Sequence, residues 1–200
     1  MFITLEGIDR AGKSTQAARL VASLGERALL LREPGGSEAG ERVRRLLIDP
    51  ALQLAPLSEL LLFCAARAEL VASQIKPALA AGRIVVCDRF VDSTIAYQGV
   101  GRGVGAELAR RACEIAIDGC MPDLTLLLWV EPELAAERRR ADLGDRFEAA
   151  GEPLQVVVAA AYSELAAAEP RRIVRIDAAR SPDQVQARLR AVVEQRLLEV

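Results

Sequence analysis

Residues 7–14 read Gly-Ile-Asp-Arg-Ala-Gly-Lys-Ser and fit the pattern G-x-x-x-x-G-K-[ST], a loop suited to holding phosphate. Its glycines let the backbone turn so that successive N–H groups face one anion, and a helix opening at Lys13 would aim its positive end at the same charge. Lys13 is expected to reach terminal phosphates from a solvent-facing loop, and the Ser14 hydroxyl is a hard oxygen ligand for Mg²⁺. Gly7, Ile8, Asp9, Arg10, Ala11, Gly12, Lys13, Ser14 and Thr15 are therefore the expected triphosphate-binding set. Of 26 basic residues only Lys13 and Lys76 are lysine, and one of the two stands where a compact ammonium suits the loop better than a guanidinium fork.

A second constellation closes the apolar run before Asp88-Arg89-Phe90. A carboxylate and a guanidinium at a strand's carboxyl end lie where open α/β sheets bind ligands, so Asp88 can share the Mg²⁺ shell, directly or through water, and Arg89 can clamp a second phosphate. Phe63 and Arg67, spaced i, i+4, offer a stacking plane and a donor fork from one helix face. Thr94 and Tyr97, at i, i+3, share a face in the same way.

The chain has no histidine, which removes Ser-His-Asp and Cys-His chemistry. A reaction needing no protein base is favoured. A phosphate monoester fits, because its second pKa near about 6 leaves it mostly dianionic at neutral pH.

These residues need a scaffold. Apolar runs at 2–5, 28–31, 84–87, 124–130 and 173–176 are short and bounded by Gly, Pro or charge, as buried parallel strands are. Helical spacing at 13–24, 57–81, 105–118, 132–141, 153–168 and 182–198 alternates with them. The pattern predicts an α/β fold with a five-stranded parallel sheet flanked by helices, as one domain over 1–200. Residues 138–151, dense in charge and glycine, are a candidate lid.

Net charge is −2, so no long-range attraction for nucleic acid or an anionic membrane is expected. The opening segment lacks the basic and apolar stretches of a secretion signal, and no run is long enough to span a bilayer, so a soluble, cytoplasmic protein is expected. Cys64, Cys87, Cys113 and Cys120 lack C-x-x-C spacing and lie in apolar segments, as buried free thiols do. A GTPase switch would need an Asn/Thr-Lys-x-Asp segment, yet Lys76 is followed by Pro77 and Ala78.

The segments LEGIDRAGKSTQ (5–16), REPGG (32–36), LLFCAAR (61–67), IKPAL (75–79), DRFVDSTIAYQGVGRG (88–103) and MPDLTLLL (121–128) together resemble the thymidylate kinases, of the nucleoside monophosphate kinase group. The resemblance implies a P-loop NTPase fold with a short lid, and transfer of the γ-phosphoryl group of ATP, with Mg²⁺, to dTMP to form dTDP in dTTP synthesis. It places the acceptor site within about 33–103 and the lid within about 138–151.

By the same resemblance Asp9 contacts the acceptor's 3′-hydroxyl and the magnesium environment, Glu33 and Pro34 shape the acceptor site, and Phe63 stacks on thymine. Arg67 donates to a thymine carbonyl, Thr94 and Gln98 lie near the base edge, Tyr97 lies against the deoxyribose, and Arg89 clamps the monophosphate. Lys13, Arg10, Arg89, Asp9 and Arg139 form the expected catalytic set. Arg10 is the in-loop arginine, with Arg139 or Arg140 of the lid assisting; Arg138 and Arg146 are further lid candidates, Ala141 falls where a second basic residue is usual, and Arg140 belongs with the ATP contacts. Asp145, Phe147 and Glu148 match the end of the lid motif, Phe147 standing for a frequent tyrosine. The family pattern also implies a homodimer formed through helices. Another deoxynucleotide or deoxynucleoside kinase, or a non-catalytic ATP-binding regulator, are the alternative readings.

Overall fold

The computed structural model describes residues 1–138 and 151–199, without the side chains of residues 151 and 152. Its first strand, β1 (Phe2–Glu6), ends at the loop that opens helix α1 (Lys13–Leu24). Strand β2 (Ala28–Arg32) leads through REPGG into α2 (Glu38–Ile48), and α3 (Pro56–Leu70) continues through a π-helical turn into α4 (Lys76–Ala80). Strand β3 (Ile84–Asp88) runs into α5 (Val91–Thr94), which is prolonged by a π-helical segment to Gly101, and α6 (Ala106–Ile117) follows. Strand β4 (Leu124–Trp129), α7 (Pro132–Glu137), α8 (Gly151–Ala168), β5 (Ile173–Asp177) and α9 (Pro182–Leu198) complete the described chain.

All strand pairings are parallel, in the order β2-β3-β1-β4-β5. β1 and β3 are buried almost throughout, which is why they read as continuous apolar runs and not as alternating ones. Side chains alternate across the sheet: Ile3, Leu5 and Val86 join Leu20 of α1 and Leu189 of α9, while Phe2, Val85 and Cys87 join Leu60, Ala78 and Cys113 on the other face. The four cysteines are free, and each is buried in this second layer.

Chain direction makes the cleft. From β1 the chain departs to β2 on one side, and from β3 it departs to β4 on the other, so the loops leaving these two adjacent strands diverge. The Arg89 N–H donates to Leu5 O, and the Glu33 N–H to Asp88 O, which ties the carboxyl ends of three strands to one point.

The elements follow the sequence expectation with local differences. Helix α2 was not anticipated; Ser37 caps it by accepting from the Gly40 N–H. The π-helical turn at Val71–Ile75 interrupts the helix expected over 57–81. The helix expected to reach residue 141 is described only to Glu137, with Arg138 turning away.

Candidate active site

The loop after β1 is shaped by two glycines. Gly7 has φ 140°, and a Cβ there would come 2.5 Å from Leu128 O; Gly12, at φ 94°, sits left-handed at the cap of α1. Arg10 also takes a positive φ of 64°, uncommon outside glycine. Lys13 differs from the expected solvent-facing residue: it is 6% exposed, and its Nζ donates to Ile8 O at 2.7 Å. Burial and then the charge of Arg89 push it down to about 8.

Ser14, the next residue on α1, donates its hydroxyl to Asp88 Oδ2 at 2.5 Å. Two hard oxygen ligands, one from the first turn of α1 and one from the end of β3, thus meet at the rim of the cleft, an arrangement that fits Mg²⁺. No group of three or more Cys, Asp or Glu side chains among the described residues is arranged as a metal cage. An ion here would complete its shell from water and phosphate oxygens, as Mg²⁺ commonly does.

Arg89 has φ 70°, and its guanidinium is the hub of the cleft. Nη2 pairs with Asp9 Oδ1 and reaches Tyr97 Oη at 3.4 Å; Nη1 donates to Gly7 O at 3.2 Å and Ser93 Oγ at 3.1 Å. It also lies over the Tyr97 ring, 4.9 Å from the centroid. Burial alone would raise the Asp9 carboxyl, but the nearby Arg89 and Lys13 charges outweigh it and hold Asp9 below its usual range. Gln155 of α8 reads the same carboxylate: its Nε2 donates to Asp9 Oδ2 at 2.8 Å while its Oε1 accepts from the Asp9 N–H at 3.0 Å.

Across the cleft, α3 presents Phe63 and Arg67. Arg67 is 1% exposed and locked: Nε and Nη2 donate to Glu33 Oε2, Nη2 also to Phe90 O and Thr94 Oγ1, and Nη1 to Cys113 Sγ. Glu33 Oε1 is buried and has no hydrogen-bond partner among the described residues. The Glu33–Pro34 peptide is cis. Gln98 is buried and donates to Glu59 Oε1 at 2.9 Å. Asp9, Glu33, Pro34, Phe63, Arg67, Arg89, Thr94, Tyr97 and Gln98, all nine acceptor residues suggested by sequence, line one cleft of about 310 Å³ together with Arg10, Lys13, Ser14 and Asp88.

Of the remaining expectations, Gly7, Ile8, Ala11, Gly12 and Thr15 form the loop and the first turn of α1. Arg139, Arg140, Asp145, Arg146, Phe147 and Glu148 lie outside the described residues. Arg138 is described, and it donates to Ala178 O at 2.8 Å and Arg10 O at 3.3 Å, fastening the end of α7 to the phosphate loop.

Sequence reasoning missed several members of the site. Arg32, Arg44, Ile48 and Ser93 also line the cleft. The Ser37 cap ahead of an apolar residue pair at 46–47 could have announced α2 and with it Arg44. Gln155 carried only a faint signal, a polar residue heading the apolar stretch 156–162.

A sequence profile described as thymidylate kinase matches residues 5–189. The chain is 50% identical over 203 aligned positions to the thymidylate kinase of Synechococcus sp. (strain JA-3-3Ab), covering 99% of this chain and 97% of that protein. It is 44% identical to the thymidylate kinase of Deinococcus radiodurans, covering 98% and 97%. The crystal structure of thymidylate kinase from Ehrlichia chaffeensis superposes with a TM-score of 0.79 at 36% identity, covering 96% of this chain and 98% of that one.

Proposed function

Because the chain belongs to the thymidylate kinase family, we propose that it moves the γ-phosphoryl group of ATP onto the 5′-phosphate of dTMP, forming dTDP. The observation that carries this reading is a single cleft in which the phosphate loop faces a helix offering a ring and a buried donor fork. The acceptor oxygen is already anionic at neutral pH, since its second pKa is near about 6, so no side chain has to remove a proton. Catalysis then consists of alignment and neutralisation of charge spread over the transferring group.

Lys13 pairs with the β and γ phosphates, the loop N–H groups with the polyphosphate, and Arg89 with the acceptor phosphate. Ser14 and Asp88 would hold Mg²⁺, which supplies charge neutralisation across the β and γ phosphates when bound. Phe63 stacks on the base, Arg67 donates to a base carbonyl, Thr94 and Gln98 border the base edge, Glu33 and Pro34 shape the acceptor pocket, and Asp9 and Tyr97 border the sugar. Arg10 is the in-loop arginine that meets charge developing in the transition state, assisted by Arg139 or Arg140. Arg10→Ala should then lower kcat and kcat/KM together, the sign of a contact made in the transition state. Steady-state kinetics showing a change in KM alone would take that role from Arg10.

Acceptor profiling tests the reading as a whole. With ATP and Mg²⁺ in excess, dTMP should exceed dCMP in kcat/KM by about ten- to a hundredfold, because a guanidinium can only donate, and a cytosine amino group, itself a donor, gives the N–H that faces the base no acceptor at a buried site. The deoxyribonucleotide dTMP should also exceed its ribose counterpart, since Tyr97 Oη, engaged with Asp9 and Gln155, borders the sugar. Equal values for the two bases would remove Arg67 from recognition, and a preferred ribonucleotide would remove Tyr97.

No helix among the described residues is long and apolar enough to cross a membrane. The reading includes a cytoplasmic location and a homodimer, the latter supported by exposed apolar residues on two packed helices: Leu57 and Leu61 on α3, Leu108 and Ile115 on α6.

A further inference from the structure

Glu6, the last residue of β1, is fully buried, and nothing in the proposed chemistry uses it. Its carboxylate accepts four hydrogen bonds: Oε1 from the Phe90 N–H at 2.7 Å and the Ser93 N–H at 3.3 Å, Oε2 from the Ser93 hydroxyl at 2.5 Å and the Tyr162 hydroxyl at 2.7 Å. Every one of these donors belongs to, or touches, the corner that carries Arg89.

That corner needs holding. Arg89 is left-handed, a conformation that costs a non-glycine residue free energy and persists only where neighbours enforce it. Two N–H groups just beyond it are anchored on Oε1. The Ser93 hydrogen is committed to Oε2, so the Ser93 oxygen offers its lone pairs outward, and there it accepts from Arg89 Nη1 at 3.1 Å. We infer that Glu6 is the positioning residue for Arg89, setting the corner through Phe90 and Ser93 and aiming the guanidinium at the acceptor phosphate.

This inference rests on Arg89 being the acceptor clamp. It uses Glu6 in its ionised form, the one that accepts from all four donors at once. A protonated Glu6 would itself have to donate, and the hydroxyl oxygens beside it are those of Ser93 and Tyr162. Donating to Ser93 turns that hydroxyl's hydrogen away from Glu6, toward Tyr162 Oη at 2.8 Å, and takes up one of the two lone pairs from which Arg89 Nη1 is held. The groups facing Glu6 are Arg89, Asp92 and Ser93 of the corner, Tyr162 of α8, Lys13 of the phosphate loop and Cys87 of β3; Asp92 is in turn paired with Arg172. Burial, followed by the negative charge of Asp92, raises Glu6 to about 7, against the pull of Ser93, Arg89 and Tyr162. The charged form dominates above that value and is lost as pH falls through it.

Binding of dTMP to the full chain by titration calorimetry between pH 6 and 9 tests the inference. Glu6→Gln, which replaces one acceptor oxygen by a donor, should weaken dTMP about tenfold at pH 8.5, leave the ATP KM within about twofold, and flatten the fall in affinity near pH 7. The phosphate of dTMP titrates near about 6 in every variant and cancels in the comparison. Tyr162→Phe removes one donor to the charged form, so it should move the midpoint upward in pH while keeping wild-type affinity at pH 9. Ser93→Ala should reproduce the loss seen in Glu6→Gln. Unchanged dTMP affinity and pH profile in Glu6→Gln and Tyr162→Phe would overturn the inference, as would equal losses for ATP and dTMP. If Arg89→Ala itself leaves dTMP affinity intact, the acceptor-clamp reading fails first.

Discussion

Replacing Lys13 by alanine is expected to lower kcat with saturating ATP and dTMP by about a hundred- to a thousandfold or more, the size of effect seen when one preorganised donor is removed from a site of developing charge. The ammonium is buried, and burial together with Arg89 pushes it down to about 8. A lysine whose folded pKa is depressed destabilises the fold while it stays protonated, so its removal relieves that cost. Loss of its bond to Ile8 O, about 0.5–1.5 kcal/mol, acts in the opposite direction. The thermal midpoint should therefore move by only a few degrees. The pH profile gives a second readout: kcat/KM for ATP should fall as pH rises through about 8, where the free lysine loses its proton, and this limb should vanish in the variant. Undiminished kcat at saturation would exclude Lys13 from catalysis. Arginine at this position should not restore activity, since a planar fork does not fit a loop shaped around a point charge.

Arg89→Ala should raise the KM for dTMP by about ten- to a hundredfold, in line with the loss of hydrogen bonds between charged groups. The KM for ATP should change much less. The guanidinium is the common partner of Gly7 O, Asp9, Ser93 and Tyr97, so its removal also strands the Asp9 carboxylate. The Asp9 pKa should rise once its strongest counter-charge is gone, and activity should become more sensitive to acid. Arg89→Lys separates the two contributions: it keeps a charge near Asp9 but offers one point contact in place of a fork. It should recover stability more fully than dTMP affinity. A selective rise in the KM for ATP, with that for dTMP unchanged, would assign Arg89 to the donor side.

Much of this is legible in the amino-acid sequence. The central strands β3, β1 and β4 could be read because a strand buried on both faces is apolar at nearly every position, the edge strands β2 and β5 because their apolar runs are short and sharply bounded, and the phosphate loop because its spacing follows from backbone geometry. Phe63, Arg67, Thr94 and Tyr97 could be grouped because helical spacing brings each pair to one side. What escaped were roles created by distant pairing. Glu6 stands at the end of an apolar run like any residue that closes a strand, and its partners lie 84 to 156 residues away. Gln155 meets Asp9 across 146 positions. Short-range patterns have no access to such contacts. Helix α2 was hidden for another reason: among residues 38–48 three of the apolar positions, Leu46, Leu47 and Ile48, crowd the end of the segment, so little of a helical face shows before it.

The four thiols have a practical consequence. Cys64, Cys87, Cys113 and Cys120 are at most 9% exposed; burial raises Cys87 and Cys120, whereas the hydrogen bond with Cys64 and the Arg67 charge lower Cys113, so what protects that thiol is its burial alone. Reagents that attack thiolates therefore meet almost no target while the layers on this face of the sheet stay closed. The cysteines sit on different parts of that layer, one on α3, one on β3, one on α6 and one just beyond it. Alkylation followed by mass spectrometry would thus time the opening of this layer site by site, with no residue changed. The enzyme carries its own set of clocks for the breathing of the wall behind the acceptor pocket, and a bound nucleotide that steadies that wall would slow them.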